Sequence, residues 1–304
     1  MATALAHFTD PHLPLAGARL TELFGKRLVG WLSWTLRRRR SHRAAVLQAL
    51  LADVKEQAPE AFLVLTGDVV NISTRAEFAA ARAWLEELAP PAKLALVPGN
   101  HDHYVADARR AGLPLLAPWM GGSAAAGTLP QFPTVRYVRN IAVIGLDSTY
   151  PAPWREASGR LGEAQLERLE VVLRDCADKG FCRVVLVHHP PLPALCEKPR
   201  KALKDAAALE AVLRRAGAEL VLFGHTHRWA HLAQEVNGGV MHVLSAPSAS
   251  MNVGGKRPAA GWQHIVIERR QGRWVFRVER RELAEKGEMH VRETLALASD
   301  GIAT

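Results

Sequence analysis

Cysteine is scarce in this chain of 304 residues, and its three copies form no C-x-x-C pair. Cys176, Cys182 and Cys196 are odd in number, which argues against a disulfide scaffold or a structural zinc knuckle. No apolar run approaches the roughly 20 residues that span a bilayer; the longest candidate, Leu28 to Leu36, ends at four arginines. The first residues, Met1 to Ala6, are too short and uncharged for a signal peptide. A soluble cytoplasmic protein is therefore expected.

Acidic residues are missing between Leu23 and Ala52, although the overall composition is ordinary, with 48% hydrophobic and 23% charged residues. Such a composition supports a folded core and excludes disorder along the whole chain. The same stretch carries seven positive charges, so the net charge of +9 falls to +2 without it; they belong to Lys26, Arg27, Arg37, Arg38, Arg39, Arg40 and Arg43. A DNA-binding surface spread over the protein is therefore not expected. The positive charge instead indicates one local basic segment.

Apolar runs of strand length end repeatedly in polar residues that can bind metals. The runs are Ala4 to Phe8, Ala61 to Leu65, Lys93 to Val97, Ile141 to Leu146, Arg183 to Val187 and Glu219 to Phe223. Helix-like stretches lie between them, at Arg43 to Gln57, Arg75 to Leu88, Glu163 to Asp178 and Ala206 to Ala216. This alternation predicts an α/β domain with largely parallel strands. In such sheets the functional crevice lies beyond the carboxyl ends of the strands.

The C-terminal third has a different pattern. Runs at Val240 to Leu244, Gln263 to Glu268 and Arg273 to Arg280 are separated by turn-rich segments, and they predict meandering strands of a second sheet in the same domain. The domain is expected to cover residues 1–282. Residues 283–304 are expected to form a helix followed by a polar tail.

The polar residues at the strand ends combine carboxylate, imidazole and amide oxygen, which are all metal ligands. Two pairs are spaced so that both members can leave a strand on the same side: Asp10 with His12, and His225 with His227. Asp68 and Asn100 each follow a glycine, whose backbone freedom can bring a short side chain close to a site. One such turn would be weak evidence for a metal site, but five in one chain are strong evidence.

This order of motifs resembles the calcineurin-like metallophosphoesterases, which show D-x-H, G-D, G-N-H-D or G-N-H-E, a histidine and G-H-x-H. The resemblance runs from Asp10 to His227, and every motif is intact. It implies a metal-dependent phosphoric ester hydrolase with an α/β fold, a four-layer α-β-β-α sandwich of two mixed sheets flanked by helices. It also implies a dinuclear metal site at the carboxyl ends of the strands. Mixed histidine and carboxylate ligation admits two divalent ions of Mn, Fe, Zn or Co.

The ligand pattern of the family assigns residues to each metal. One ion is expected on Asp10, His12 and His227, and the other on Asn100, His188 and His225, with Asp68 bridging both. His188 is preferred to His189 because the family ligand is the first histidine after the strand.

The same resemblance assigns the chemistry. Two divalent ions about 3.5–4 Å apart clamp the oxygens of an in-line displacement and lower the pKa of bound water towards about 7. A metal-bridging hydroxide is expected to attack phosphorus while Asn100 helps neutralise the equatorial oxygens. His101 resembles the catalytic histidine of the family, which could stabilise the phosphoryl oxygens or protonate the leaving alkoxide. Asp102 is expected to orient His101.

The substrate stays open. Motif order and spacing look most like small bacterial phosphodiesterases, including cyclic-nucleotide and glycerophosphodiester hydrolases, and the run Gly67 to Asn71 lacks the tyrosine of purple acid phosphatases. The separation of 58 residues between Asp10 and Asp68 exceeds the common bacterial pattern. Three alternatives remain: hydrolysis of a small soluble diester, hydrolysis of a membrane-associated phosphate or pyrophosphate such as UDP-diacylglucosamine, and a non-catalytic scaffold. The last is disfavoured because no ligand has been lost.

A basic amphipathic insert at about residues 13–43 accounts for the long separation. Written as a helix, Leu20 to Arg43 places an apolar stripe on one side: Leu20, Phe24, Leu28, Trp31, Leu32 and Leu36. Apolar residues beside clustered arginines suit a peripheral helix on the anionic inner face of a membrane. The alternatives are a helix over the rim of the site, whose arginines grip a substrate phosphate, and a nucleic-acid contact, for which no binding module is recognisable. Gly25 and Gly30 weaken the helix by roughly 1 kcal/mol each, and the oligomeric state stays open.

Overall fold

The computed structural model describes residues 2–122 and 127–302. The strands are β1 (Thr3–Phe8), β2 (Phe62–Leu65), β3 (Leu94–Leu96), β4 (Thr134–Val138), β5 (Ile141–Gly145), β6 (Cys182–Leu186), β7 (Leu220–Phe223), β8 (Ala230–Val236), β9 (Gly239–Ser245), β10 (Gly261–Arg270), β11 (Arg273–Leu283), β12 (Met289–Ala298) and β13 (Gly301–Ile302). The α-helices are α1 (Lys26–Ser33), α2 (Arg39–Ser41), α3 (Ala44–Gln57), α4 (Arg75–Leu88), α5 (Ala108–Ala111), α6 (Glu163–Asp178) and α7 (Ala206–Ala216).

Two mixed sheets form the centre of the protein. The seven-stranded sheet has the order β13-β12-β11-β10-β1-β2-β3, and the six-stranded sheet has the order β4-β5-β6-β7-β9-β8. Strands β1, β2 and β3 are parallel, as are β5, β6, β7 and β9, whereas the remaining strands pair antiparallel. Parallel neighbours end at the same edge of a sheet, so the polar segments that follow β1, β2 and β3 emerge together.

The layers follow from where the apolar side chains pack. Leu5 and Val64 of the first sheet pack against Val184 and Leu222 of the second, which builds an inter-sheet core. A second cluster joins the outer face of the seven-stranded sheet to α3 and α4, and a third joins the six-stranded sheet to α6 and α7. The expected four-layer α-β-β-α sandwich is therefore confirmed.

The sequence predicted that the C-terminal strands form a second sheet of their own, but the structure distributes them over both sheets. Strands β10, β11 and β12 extend the first sheet, with β10 antiparallel to β1, while β9 joins the second sheet. The predicted helix after residue 283 is also wrong, because Met289–Ala298 is strand β12. Alternate residues Leu295 and Leu297 of this strand pack into the inter-sheet core, which is the two-residue period of a strand. Residues 303 and 304 of the predicted tail lie outside the described part.

The basic insert is helical only in pieces. A 3-10 turn covers Leu20–Glu22, α1 begins after Gly25, a π-helical turn covers Trp34–Arg38, and α2 follows. The prediction of one continuous helix is therefore wrong, because Gly25, with a φ of 57°, separates α1 from the preceding turn. Over residues 2–122 and 127–302, no helix combines the length and apolar character needed to cross a membrane.

Candidate dinuclear metal centre

Strained turns hold the polar side chains that follow the strands. Positive φ angles, which cost a non-glycine residue of order 1–3 kcal/mol, occur at five of the predicted ligands: Asp10 (51°), His12 (42°), Asp68 (57°), His225 (66°) and His227 (53°). Such strain persists only where the surrounding structure fixes the conformation. These turns direct donor atoms from both sheets towards one point.

Gly67 shows how tightly the turns fit together. Its φ is 94°, and a Cβ atom there would lie 2.6 Å from the amide nitrogen of Gly99 and 2.7 Å from Nδ1 of His188. Only glycine fits such a conformation and such a gap. The G-D turn and the G-N-H turn are therefore in direct backbone contact.

The first set of donors joins the ends of β1, β2 and β7. Ligand atoms of Asp10, His12, Asp68 and His227 all lie within 4.8 Å of one another. Nε2 of His227 is 3.0 Å from Oδ1 of Asp10, and Nε2 of His12 is 3.8 Å from Oδ2 of Asp68. Donors bound about 2.0–2.2 Å from one ion are roughly 3–3.5 Å apart, so a small contraction would bring this set onto a metal.

The second set of donors joins the ends of β2, β3, β6 and β7. Oδ1 of Asn100 is 3.2 Å from Nε2 of His188 and 2.8 Å from Nδ1 of His225. Nε2 of His188 lies 3.5 Å from Oδ2 of Asp68, the same oxygen that faces His12. The carboxylate of Asp68 therefore lies between the first and the second set of donor atoms.

His188 and His189 have different surroundings. Nδ1 of His188 lies 2.7 Å from the carbonyl oxygen of Thr66, to which it can donate a hydrogen bond, and this leaves Nε2 free to face the donors. Nδ1 of His189 instead pairs with Oγ of Ser148 at 2.8 Å. The geometry favours His188 as the ligand.

The charges of the buried site fit a cation. Asp10 and Asp68 are 0% and 2% exposed, and a buried carboxylate needs compensating positive charge. Burial alone would raise the pKa of Asp68, but the nearby imidazoles, led by His188, hold it well below its usual range. Burial would likewise lower the pKa of His188, but Asp68 outweighs it and raises the value to about 9. The two buried carboxylates and the surrounding imidazole and amide donors therefore suit divalent metal ions, and metal binding would displace any proton from Nε2 of His188.

Comparison with known proteins assigns the family. The model of the calcineurin-like phosphoesterases matches residues 3–229, about three quarters of the chain. The chain belongs to the calcineurin-like phosphoesterase family. It is therefore a metal-dependent hydrolase of phosphoric esters, as the motifs implied.

Two curated relatives and one solved structure are similar to this phosphoesterase. A probable cyclic nucleotide phosphodiesterase from Synechococcus sp. is 28% identical over 75% of this chain and 81% of its own length. A cAMP/cGMP dual specificity phosphodiesterase from Mycobacterium tuberculosis is 29% identical, over 54% of this chain and 48% of that protein. A dimetal phosphatase from Danio rerio superposes with a TM-score of 0.60 at 13% identity, covering 98% of this chain and 99% of that one, which shows a common fold.

His101 lies at the mouth of the phosphoesterase site, but its orientation does not come from Asp102. Nδ1 of His101 lies 2.5 Å from the carbonyl oxygen of Asn71 and donates to it, while its backbone amide donates to Oδ1 of Asp68 at 2.7 Å. Burial, together with the Arg38 guanidinium, lowers the pKa of His101 to about 4, so the imidazole is neutral at pH 7 in the free protein.

Asp102 has a different role from the one predicted. Its carboxylate accepts hydrogen bonds from the backbone amides of Asp68 (2.9 Å), Gly99 (2.8 Å) and Val70 (3.0 Å). The prediction that it orients the ring of His101 is therefore wrong. The three amides belong to the G-D turn and the G-N-H turn, so the carboxylate fixes one turn against the other.

Three cationic side chains that the motifs did not indicate surround the donors. Arg38 donates to Nε2 of His12 at 3.0 Å and to Nε2 of His101 at 3.1 Å, and Arg257 donates to Nδ1 of His227 at 2.7 Å. Both line a cleft of about 520 Å³ together with Lys201, Asp68 and His101. The cleft above the donors is therefore strongly positive.

His42 was also passed over by sequence reasoning. Its ring centroid is 4.5 Å from that of His12 and 5.7 Å from that of His227, although Nδ1 pairs with Oγ of Ser250 at 2.9 Å. Trp34 stacks on His42, with ring centroids 6.0 Å apart, and is buried, so it packs against the site instead of facing solvent. The only sequence signal was their position at the end of the basic insert.

Proposed function

We propose that this phosphoesterase hydrolyses phosphodiesters with two divalent ions. Asp10, His12 and His227 would hold one ion, Asn100, His188 and His225 would hold the other, and Asp68 would contribute to both. The observation that supports this most is the position of Asp68. Its Oδ2 lies 3.8 Å from Nε2 of His12 in the first donor set and 3.5 Å from Nε2 of His188 in the second. When bound, the ions supply Lewis acidity and an activated water at neutral pH.

The remaining residues bind and orient the phosphate in this proposal. Arg38 and Arg257 donate to its non-bridging oxygens, for which a planar guanidinium is well suited. His101, held by its hydrogen bond to Asn71, presents Nε2 to the leaving oxygen and protonates it. Nδ1 donates to Asn71, so Nε2 of the neutral ring must take up a proton from solvent, favoured by the nearby phosphate charge, before it can give that proton to the leaving oxygen.

A second candidate is the same chemistry on a membrane-associated phosphate or pyrophosphate. The main cleft adjoins another of about 230 Å³, with which it shares Lys201, Lys256 and Arg257. Lys198 and Arg200 add further positive charge there, and Glu197 is paired with Arg228 at 3.1 Å. An additional anionic group of the substrate would be bound favourably in this extension.

A substrate panel tests both candidates. Metal-loaded protein is assayed on cyclic nucleotides, glycerophosphodiesters, nucleotide sugars and phosphomonoesters, with a chromogenic phosphodiester as reference. The proposal predicts that diesters have the highest kcat/KM, and cyclic nucleotides are tested first because both curated relatives bear that name. Preference for pyrophosphates would favour the second candidate. Absence of turnover despite two bound metals would favour a scaffold instead.

A further inference from the structure

The segment 24–40, here called the rim segment, is held on the protein by three of its basic side chains. Lys26 Nζ donates to the carbonyl oxygen of Ala152 at 2.9 Å. Arg27 donates to both carboxylate oxygens of Asp107, at 2.8 and 3.0 Å, and to the carbonyl oxygen of Ser73 at 2.7 Å. Arg38 enters the cleft, as described above. These three basic side chains are therefore held against the protein, whereas the charged residues of a surface helix normally face water.

Although Trp34 of the rim segment is buried, five of its large apolar side chains face outward. They are Phe24, Leu28, Val29, Leu32 and Leu36, with exposures of 74%, 42%, 48%, 43% and 66%. They account for five of the nine exposed large hydrophobic side chains within the described residues. Scattered exposed hydrophobic residues are ordinary, but a contiguous set of them marks an interaction surface. The side chain of Leu20, which the sequence placed on this stripe, lies outside the described part.

A close contact prevents α1 from turning its apolar side inward. A Cβ atom on Gly30 would lie 2.5 Å from Cγ2 of Ile72 and 3.1 Å from the hydroxyl oxygen of Tyr104. No space for a leucine remains beneath the helix at this point. The outward direction of the stripe is therefore fixed by packing.

The charges around the stripe are positive. Arg37, Arg39 and Arg40 are exposed, and within residues 2–122 and 127–302 no carboxylate pairs with them. Two carboxylates that contact or precede the rim segment have other partners: Glu22 accepts from the backbone amide of Arg75, and Asp107 binds Arg27. The surface therefore combines exposed hydrophobic side chains with unneutralised arginines.

We propose that the rim segment docks this protein on an anionic lipid bilayer. The apolar side chains enter the interface, and Arg37, Arg39 and Arg40 contact the headgroup phosphates. Charge complementarity favours a bilayer over a second copy of the chain, because two rim segments face to face would bring like charges together. Docking goes beyond the proposed reaction, since it requires neither metal nor substrate. The rim segment also carries Arg38 into the cleft, so the docked face and the site adjoin.

Vesicle co-sedimentation tests the proposal on the full chain. Vesicles of phosphatidylcholine alone and of phosphatidylcholine with phosphatidylglycerol are compared at low and high salt. We expect binding to the anionic vesicles that weakens with salt. Each basic residue near an anionic surface contributes roughly fivefold to partitioning, so replacing Arg37, Arg39 and Arg40 by Ser should lower it by about 100-fold. Replacing Phe24, Leu28 and Leu36 by Ser should abolish binding.

Matched controls separate docking from loss of charge or of folding. Arg174, Arg214 and Arg215 are exposed on α6 and α7, so their replacement by Ser removes the same charge elsewhere; Val171→Ser controls for an exposed apolar residue. All these variants should keep normal turnover of a soluble chromogenic diester. Absence of binding at low salt, or equal loss in the controls, would overturn the proposal. A lipid-free dimer that the Phe24, Leu28 and Leu36 replacements dissociate would instead identify the surface as a self-association face.

Discussion

The turns after the strands and the rim segment both surround the cleft, yet they are built by different rules. Each turn follows a buried strand, and its ligand is placed within a few residues of that strand, with backbone contacts such as Gly67 to Gly99 fixing the spacing. The rim segment has no buried residue in α1 and is positioned by individual side chains such as Arg27 and Arg38. The first region should therefore tolerate almost no change, and the second should tolerate many.

A pair of glycine substitutions tests this difference. In Gly67→Ala the new Cβ would meet the backbone of Gly99 at 2.6 Å in a left-handed conformation, so we expect loss of metal binding and activity. In Gly30→Ala the Cβ would meet the side chain of Ile72, which can move. Overpacking costs about 1–3 kcal/mol, and the better helix propensity of alanine returns about 1 kcal/mol.

Metal content, turnover and denaturant unfolding are measured for both variants. Gly30→Ala should lose at most a few kcal/mol of stability and keep its metals. If it lost them as completely as Gly67→Ala, the two regions would not be independent.

His101→Ala should have the next largest effect. General acid catalysis contributes about 10²–10⁴-fold, and we expect this loss for esters with alkyl leaving groups and a much smaller one for nitrophenyl esters, which need no proton. Steady-state kinetics on both ester types measures the difference. His264→Ala, at a half-buried position in β10, serves as the control. An equal loss on both ester types would assign His101 an electrostatic role.

Arg38→Ala should have a smaller effect, on substrate binding. A hydrogen bond to a charged group contributes about 1.5–3 kcal/mol, so kcat/KM for a soluble diester should fall by roughly 10- to 100-fold. Arg38→Lys should restore only part of this, because an ammonium cannot form two parallel hydrogen bonds. Arg37→Ala removes the same charge from the exposed neighbour and should leave the kinetics unchanged. Equal effects at the two positions would mean that only the overall charge of the rim matters.

The sequence predicted where the strands end because the signals for a strand end are local. A strand and a metal-competent residue lie next to each other in the chain, so the convergence of Asp10, Asp68 and Asn100 follows once β1, β2 and β3 are parallel. The approach of His225 depends in addition on the packing of the second sheet against the first. The sequence could not predict that Asp102 binds backbone amides rather than His101, since the length of that side chain and the position of three amides decide it.

Contacts between residues far apart in the chain could not be predicted either, because the three-dimensional fold decides them and no local motif marks them. Arg257 reaches His227 from the loop between β9 and β10, and nothing beside it in the chain forms a motif. The sequence also could not predict which side of α1 faces the protein. A helical stripe shows that one side is apolar, but not whether that side packs on the protein or faces solvent. The helix predicted over β12 is wrong for a simpler reason: the alternation of Leu295 and Leu297 is the two-residue period of a strand.

The most direct measurement of the central claim is the metal content of Asp68→Ala and His225→Ala by elemental analysis. Asp68 is the proposed ligand that both ions share, so Asp68→Ala should lose occupancy at both sites and fall to the activity of metal-free protein. His225→Ala, which removes a proposed ligand of one ion, should keep the other ion. Two metals retained in purified, folded Asp68→Ala would contradict the account.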